Sequence, residues 1–406
     1  MSTRLYLAIA TTNNCSLEGP VEGKDLVLKY FRDNITSTSG EKIFFSPGRV
    51  NLIGEHIDYN GGLVFPCAID KGIYGCVKKN STGKLNLFSA NFPSTKCSIK
   101  LDELEYDEKH EWMNYPKGVL KSIFELTDQK SGFDIAYYGD IPNGAGLSSS
   151  ASIELLTAVI ANAFLGLNLS MLDMVKLSRD VENKYIGVNC GIMDQFAVGF
   201  GKKDKAILLN CETLEFDHVP FELNEWTLII TNSNKRRELA DSKYNERRSE
   251  CESALKMLNT QIDAENLCKV SESDLEKHKN LLTENEYRRA FHVISENRRT
   301  IYAAEALKKG DIRLFGRLMN SSHISLKDNY MVTGKELDSL ALNAQKMDCV
   351  CGSRMTGAGF GGAVISLVQN SSIDLFKNEL GQIYEKECSL SADFYTVKAS
   401  DGAGEI

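Results

Sequence analysis

The chain has 406 residues, 42% of them hydrophobic and 25% charged, with a formal net charge of −8. That length predicts two domains, and the ordinary composition supplies ample core. The acidic balance excludes the basic surface of a nucleic-acid binder, although backbone donors and a few arginines can still hold a small anion.

Residues 1–20 read as a loosely held extension whose apolar run, LYLAIA, is too short for a secretory signal. No segment approaches the roughly 18 apolar residues of a membrane span. The eleven scattered cysteines include no C-x-x-C pair, and the six histidines show no metal-ligand spacing. Reduced thiols in a cytoplasmic protein are the expectation.

Short apolar runs then alternate with turns through KIFFSPGRVNLIG and GLVFPCAIDKGIYGCVKK, predicting strands over residues 43–79. Within them, SPGRVNLIGEHIDYNGG (46–62) gathers Arg49, Glu55, His56 and Asp58. Such a group is either a solvated turn or a set of acceptors and donors for a hydroxyl-rich ligand.

FDIAYYGDI (133–141) alternates as a strand, and a Pro-Asn-Gly turn follows. Next comes NGAGLSSSAS (143–152), leading into a helix over Ser150–Phe164. Serine is a preferred helix cap, so a plain capped helix is one reading. The other is a phosphate cradle. Glycines allow close approach, and the amides and dipole at a helix start attract anions. Serine hydroxyls can add donors or ligate a hard cation.

A single helix is predicted over 170–187, strands over 206–210 and 227–231, and a long charged helix over ELADSKYNERRSECESALKML. Residues 260–345 read mainly helical, with a polar linker near 270–275. GAVISLV and ADFYTVKAS close the chain as strands. The composition turns charged and helical after about residue 225, which divides the chain into 1–225 and 226–406 with a ligand cleft between the two.

Neither a P-loop G-x-x-x-x-G-K-[ST] nor the protein-kinase motif set occurs. The run MTGAGFGGAVISLV (355–368) does contain G-x-G-x-x-G through Gly357, Gly359 and Gly362. It leads into a strand rather than a helix, so it reads as a tight loop facing the ligands, not as a dinucleotide fingerprint.

Taken together, these segments resemble the galactokinases, from a superfamily that also holds homoserine, mevalonate and phosphomevalonate kinases. GRVNLIGEHIDYNGG is similar to the galactokinase signature, GAGLSSSAS to the superfamily phosphate loop and GAGFGGAV to its third motif. NCGIMDQF (189–196) and TNSNKRRELADSKYNERRSEC (231–251) also match, so the likeness runs from about residue 25 to the C-terminus.

The resemblance implies a two-domain α+β kinase fold, with an N-terminal domain like ribosomal protein S5, a ferredoxin-like C-terminal domain and the active site in the cleft. It implies Mg²⁺-dependent phosphoryl transfer from ATP to the C1 hydroxyl of galactose by a monomer, with neither nucleic acid nor membrane as partner. Carried over residue by residue, Asp194 and Arg49 are the catalytic pair. Glu55, His56, Ile57, Asp58, Gly191, Asp194 and Tyr244 face the sugar. Gly144, Ala145, Gly146, Leu147, Ser148, Ser149 and Ser150 cradle the ATP phosphates, and Arg236 is a further phosphate contact. Ser89, Trp112 and Tyr115 resemble the adenine pocket, and Ser150 and Glu182 the Mg²⁺ ligands.

Ile57 stands where bacterial galactokinases commonly carry threonine. It is shared with N-acetylgalactosamine kinases, which keeps that substrate as an alternative. A non-catalytic galactose and ATP sensor is the other, but such proteins lose part of the loop or the catalytic pair that is intact here.

Overall fold

The structure is a computed structural model that describes residues 22–35, 40–142, 144–235 and 240–406. The N-terminal extension, Asn143 of the turn and Arg236 lie outside the described residues.

Among the described residues, three antiparallel or mixed sheets carry the fold. The largest runs, edge to edge, Gly404–Glu405, Lys42–Asn51, Pro66–Asn80, Gly132–Gly139, Lys84–Ser89 and Cys97–Lys100. A second sheet is ordered Val350–Thr356, Ala363–Gln369, Trp226–Asn232, Asp393–Val397, and a small third one joins Leu63–Val64, Lys205–Asn210 and Phe216–Pro220. Trp226–Asn232 is the first strand in chain order of the second sheet, and the chain end returns to the first, where Glu405 and Gly404 pair with Phe44 and Phe45. One apolar cluster runs through both parts, from Phe44 and Val50 to Ile365 and Leu367.

Helix Ser149–Leu165 packs on strands Lys42–Asn51 and Pro66–Asn80. Its residues Ala151 to Ala158 are all buried, which is why the segment is apolar almost all round rather than along one stripe. Strand Lys42–Asn51 shifts register at Pro47/Gly48. Proline has no ladder donor to offer, and such bulges re-aim the residues that follow. At this bulge a Cβ on Gly48 would stand 2.8 Å from the Leu147 carbonyl, so glycine lets the strand lie against the serine loop. Arg49 N–H then donates to that same carbonyl at 3.2 Å.

Two expectations change. The single helix over 170–187 is an α-helix, Met171–Asp180, that passes into a π-helical turn, Val181–Ile186. Its start carries a Ser170/Asp173 capping box, as the sequence allows. The supposed linker at 270–275 instead contains the start of a short helix, Glu272–Lys277, because the Ser271 side chain accepts from Asp274 N–H and caps it. Among the described residues no helix is long and apolar enough to cross a membrane.

Candidate active site

The serine loop is built from positive-φ backbone. Gly144 and Gly146 stand at φ 69° and 74°, where glycine alone pays no steric penalty. Ser148 also sits in the left-handed region, at φ 62° and ψ 46°, a strained place for a residue with a side chain. Its hydroxyl donates to Asp194 Oδ2 at 2.5 Å, which helps to hold it there. The helix begins at Ser149, and its first bond is Ser152 N–H to Ser148 O at 3.0 Å. The amides of Ser149, Ser150 and Ala151 therefore lack intrahelical acceptors and make an anion-binding helix start.

Asp194 opens the helix Met193–Phe200. Arg49 meets its carboxylate through two nitrogens, Nε to Oδ1 and Nη2 to Oδ2, both 2.8 Å, and Nη2 also lies 2.7 Å from Oδ1. A third donor, Nη1, bonds the Gly146 carbonyl at 2.8 Å. Arg49 thus ties the strand, the loop and the acid into one unit.

The signature loop supplies the second wall. Asp58 lies against Gly191, since a Cβ there would fall 2.0 Å from Asp58 Oδ2. Burial, with Asp194 nearby, pushes the Asp58 carboxyl up to about 6. Tyr244, from the charged helix Ala240–Leu258, sets its ring 5.6 Å from that of His56 and 5.4 Å from that of Tyr59.

Glu55 is buried and surrounded by donors. Its Oε2 accepts from Asn51 Nδ2 at 2.8 Å and pairs with Arg354 at 2.6 Å, while Oε1 accepts Gly357 N–H at 2.9 Å. Burial raises its pKa and the Arg354 charge opposes the rise. Thr356 Oγ1 lies 3.3 Å from Oε1 but 3.0 Å from the Asn51 carbonyl, and it has one proton to give. Directed to Asn51, that proton leaves Oε1 one acceptor site for a ligand hydroxyl. Ile57, by contrast, is wholly buried in the core beneath Gly62. It shapes the loop from behind.

Ser150 and Glu182 are brought together at 2.9 Å, Oγ to Oε1. Two oxygen donors beside the serine loop suit Mg²⁺, which takes few protein ligands and keeps water and phosphate oxygens. Sequence reasoning missed what lies behind them. Gln195 Nε2 donates to Glu182 Oε2 at 2.6 Å and to Glu154 Oε2 at 3.4 Å. Glu154 is fully buried, and desolvation with Glu182 nearby pushes its pKa well up. Adjacency offered a signal for both, since Gln195 follows Asp194 and Glu154 continues the serine helix.

In the expected adenine pocket, Ser89 pairs in register with Tyr137, and the Trp112 ring stands edge-on to Tyr137 at 5.7 Å. Trp112 is almost wholly buried, donating to Thr95 Oγ1 at 3.3 Å, and Tyr115 is partly buried on Asn114–Glu125. Ser89 and the Trp112 ring thus meet at the same strand residue of the first sheet, Tyr137, while Tyr115 lies on the helix that follows Trp112.

Comparison with known proteins decides the family. The galactokinase galactose-binding signature matches residues 29–79, the GHMP kinases N terminal domain 114–202 and the GHMP kinases C terminal domain 303–386. The galactokinase of Fusobacterium nucleatum subsp. nucleatum is 51% identical over 385 residues, covering 94% of this chain and 99% of its own length. The chain belongs to the galactokinase family.

A second relative, the galactokinase of Ligilactobacillus salivarius, is 48% identical over 92% of this chain and 98% of its own. The crystal structure of Lactococcus lactis galactokinase complexed with galactose superposes with a TM-score of 0.91 at 43% identity, covering 94% of this chain and 99% of that one. A mevalonate kinase at 22% identity and TM-score 0.63, covering 88% of this chain and 99% of its own, shares the fold. The chain therefore has the two-domain α+β fold of the galactokinase and mevalonate kinase superfamily. Arg49, Glu55, His56 and Asp58 fall inside the matched galactose-binding signature. The serine loop, Glu182 and Asp194 fall inside the N-terminal kinase match.

Proposed function

We propose that this chain transfers the γ-phosphate of ATP to the C1 hydroxyl of α-D-galactose, giving galactose 1-phosphate and ADP. The observation that carries the residue assignment is the Arg49–Asp194–Ser148 unit, which sets a part-buried ion pair against the helix start at the serine loop. The ATP phosphates lie on the Gly144–Ser150 loop. The hexose is held from the opposite wall by Glu55, His56, Asp58, Gly191 and Tyr244. Residues 1–225 supply the loop and the signature, and 226–406 close the cleft with the third glycine motif.

Asp194 faces the sugar hydroxyl. Two guanidinium bonds fix its carboxylate in place. A carboxylate is a weak base, so its main work is to orient the hydroxyl as phosphoryl transfer proceeds through a loose transition state. Arg49 holds that carboxylate rigid and adds positive charge beside the transferring group. Ser150 and Glu182 would hold Mg²⁺, which supplies neutralisation of the phosphate charge when bound. Ser89, Trp112 and Tyr115 form the adenine side. The reading includes a monomer working in the cytoplasm, and the free thiols among the described residues support that location.

Coupled ADP release with galactose, N-acetylgalactosamine and glucose, measured side by side, tests the assignment. Galactose is the expected preferred sugar. A preference for the acetylated sugar, or ADP release indifferent to sugar, would overturn it.

A further inference from the structure

Two π-helical turns occur among the described residues, Val181–Ile186 and Leu326–Tyr330. Such turns are rare and concentrate at functional sites. The first presents Glu182. The second ends on Tyr330, which the reaction as described does not use.

Tyr330 is fully buried, its ring between the imidazoles of His56 at 4.8 Å and His292 at 4.5 Å. Arg247 Nε fixes its carbonyl at 2.8 Å. From its hydroxyl a line of polar atoms leads to the signature loop. Cys251 Sγ lies 3.1 Å from Tyr330 Oη, which lies 2.8 Å from Tyr59 Oη. Tyr59 Oη is 2.9 Å from His56 Nδ1, and His56 Nε2 is 3.2 Å from the Ala358 carbonyl in the third glycine motif.

One arrangement of protons satisfies the whole line. A carbonyl only accepts, so His56 Nε2 carries hydrogen. Burial lowers the His56 pKa to about 3, so the ring is neutral and Nδ1 is bare. Tyr59 must then donate to Nδ1, and its own oxygen accepts from Tyr330. The Tyr330 oxygen accepts in turn from the Cys251 thiol. Every proton points toward Ala358.

We propose that Tyr330 is a positioning residue for sugar recognition: through Tyr59 it holds His56 in the Nε2–H tautomer, giving the pocket a fixed donor beside the acceptors Glu55 and Asp58. This rests on the reading of His56 as a sugar ligand. Each sugar hydroxyl both donates and accepts, so a pocket of carboxylates alone would leave its lone pairs unmet. The 3.2 Å bond to Ala358 is at the long end for N–H···O, which leaves that hydrogen able to be shared with a sugar oxygen.

The test combines tautomer and kinetics. Two-bond ¹H–¹⁵N spectra of ¹⁵N-histidine protein, with His56→Gln identifying the signal, should show His56 as Nε2–H. Tyr330→Phe and Tyr59→Phe should shift that signal toward mixed tautomers. They should raise the galactose KM roughly five- to tenfold, the size of one hydrogen bond, with kcat and the ATP KM within about twofold. Cys251→Ser, which keeps a donor, should behave as the unaltered protein. An Nδ1–H His56, or Tyr→Phe variants with unchanged spectra and KM, would overturn the proposal, as would equal losses in kcat and both KM values. The spectra judge the relay whatever the sugar, whereas absent galactose-dependent ADP release would defeat the functional reading instead.

Discussion

Arg49 holds Asp194 through two guanidinium nitrogens, Nε to Oδ1 and Nη2 to Oδ2, with both bonds at 2.8 Å. The same guanidinium grips Gly146 in the serine loop at 2.8 Å, so the acid and the proposed phosphate site share one anchor. Lysine cannot reproduce that planar fork. Arg49→Lys should therefore lower kcat about 10²–10³-fold while ATP affinity stays near normal. Asp194→Asn should abolish turnover and also leave ATP binding near normal. Steady-state rates and nucleotide titration check both, and an active Asp194→Asn enzyme would remove the catalytic assignment.

Glu182 bonds Ser150 at 2.9 Å and is steadied from behind by Gln195 at 2.6 Å. Glu182→Ala should raise the Mg²⁺ concentration for half-maximal rate by about tenfold or more, and Gln195→Leu should do so to a smaller degree. Titrating Mg²⁺ at fixed ATP and galactose reads this. Unchanged metal dependence in Glu182→Ala would refute its role.

Asp58 is raised from 3.8 to about 6 by burial. A carboxyl with a raised folded pKa binds more protons folded than unfolded, so it loses stability as pH climbs from about 4 to 6 and carries the full penalty above. In the ligand-free protein, Asp58→Asn should unfold at a higher temperature than the parent at pH 7, with the gap closing below pH 4. The same variant should bind galactose less well. In the parent, the galactose KM should rise as pH falls through about 6, because protonation removes an acceptor. Thermal scans across pH and KM against pH check the two signs.

Arg354 is fully buried and pairs with Glu55 at 2.6 Å while bonding the carbonyls of Asn51 and Leu52 at 3.2 Å. Removing one partner of a buried pair strands the other charge, which costs about 3–5 kcal/mol. Arg354→Ala should therefore lower the denaturant midpoint clearly, whereas Arg32→Ala, at the exposed pair with Glu41, should change it little.

Much of this was legible before the structure. Alternation marked Gly132–Gly139, the strand-like run TLIIT marked Trp226–Asn232, and the serine cap marked the helix at Ser149. The amphipathic helices Gly23–Asn34 and Ile373–Cys388 and the short strands Lys84–Ser89 and Cys97–Lys100 went unread. The last two are brief and half polar, and pairing with each other and with Gly132–Gly139 defines them. Glu55, His56 and Asp58 stood in a readable motif. Glu154, Arg354 and Tyr330 did not, because an isolated charged or aromatic residue on a helix or strand has no signature of burial. Only the tertiary fold puts Arg354 on Glu55 and Tyr330 on Tyr59.

Crystals soaked with galactose and a non-hydrolysable ATP analogue give the most direct check. The C1 hydroxyl should lie within hydrogen-bond reach of Asp194, with the γ-phosphate over the amides at Ser149–Ala151. A hexose bound away from Asp194, or phosphates bound off the Gly144–Ser150 loop, would contradict the mechanism.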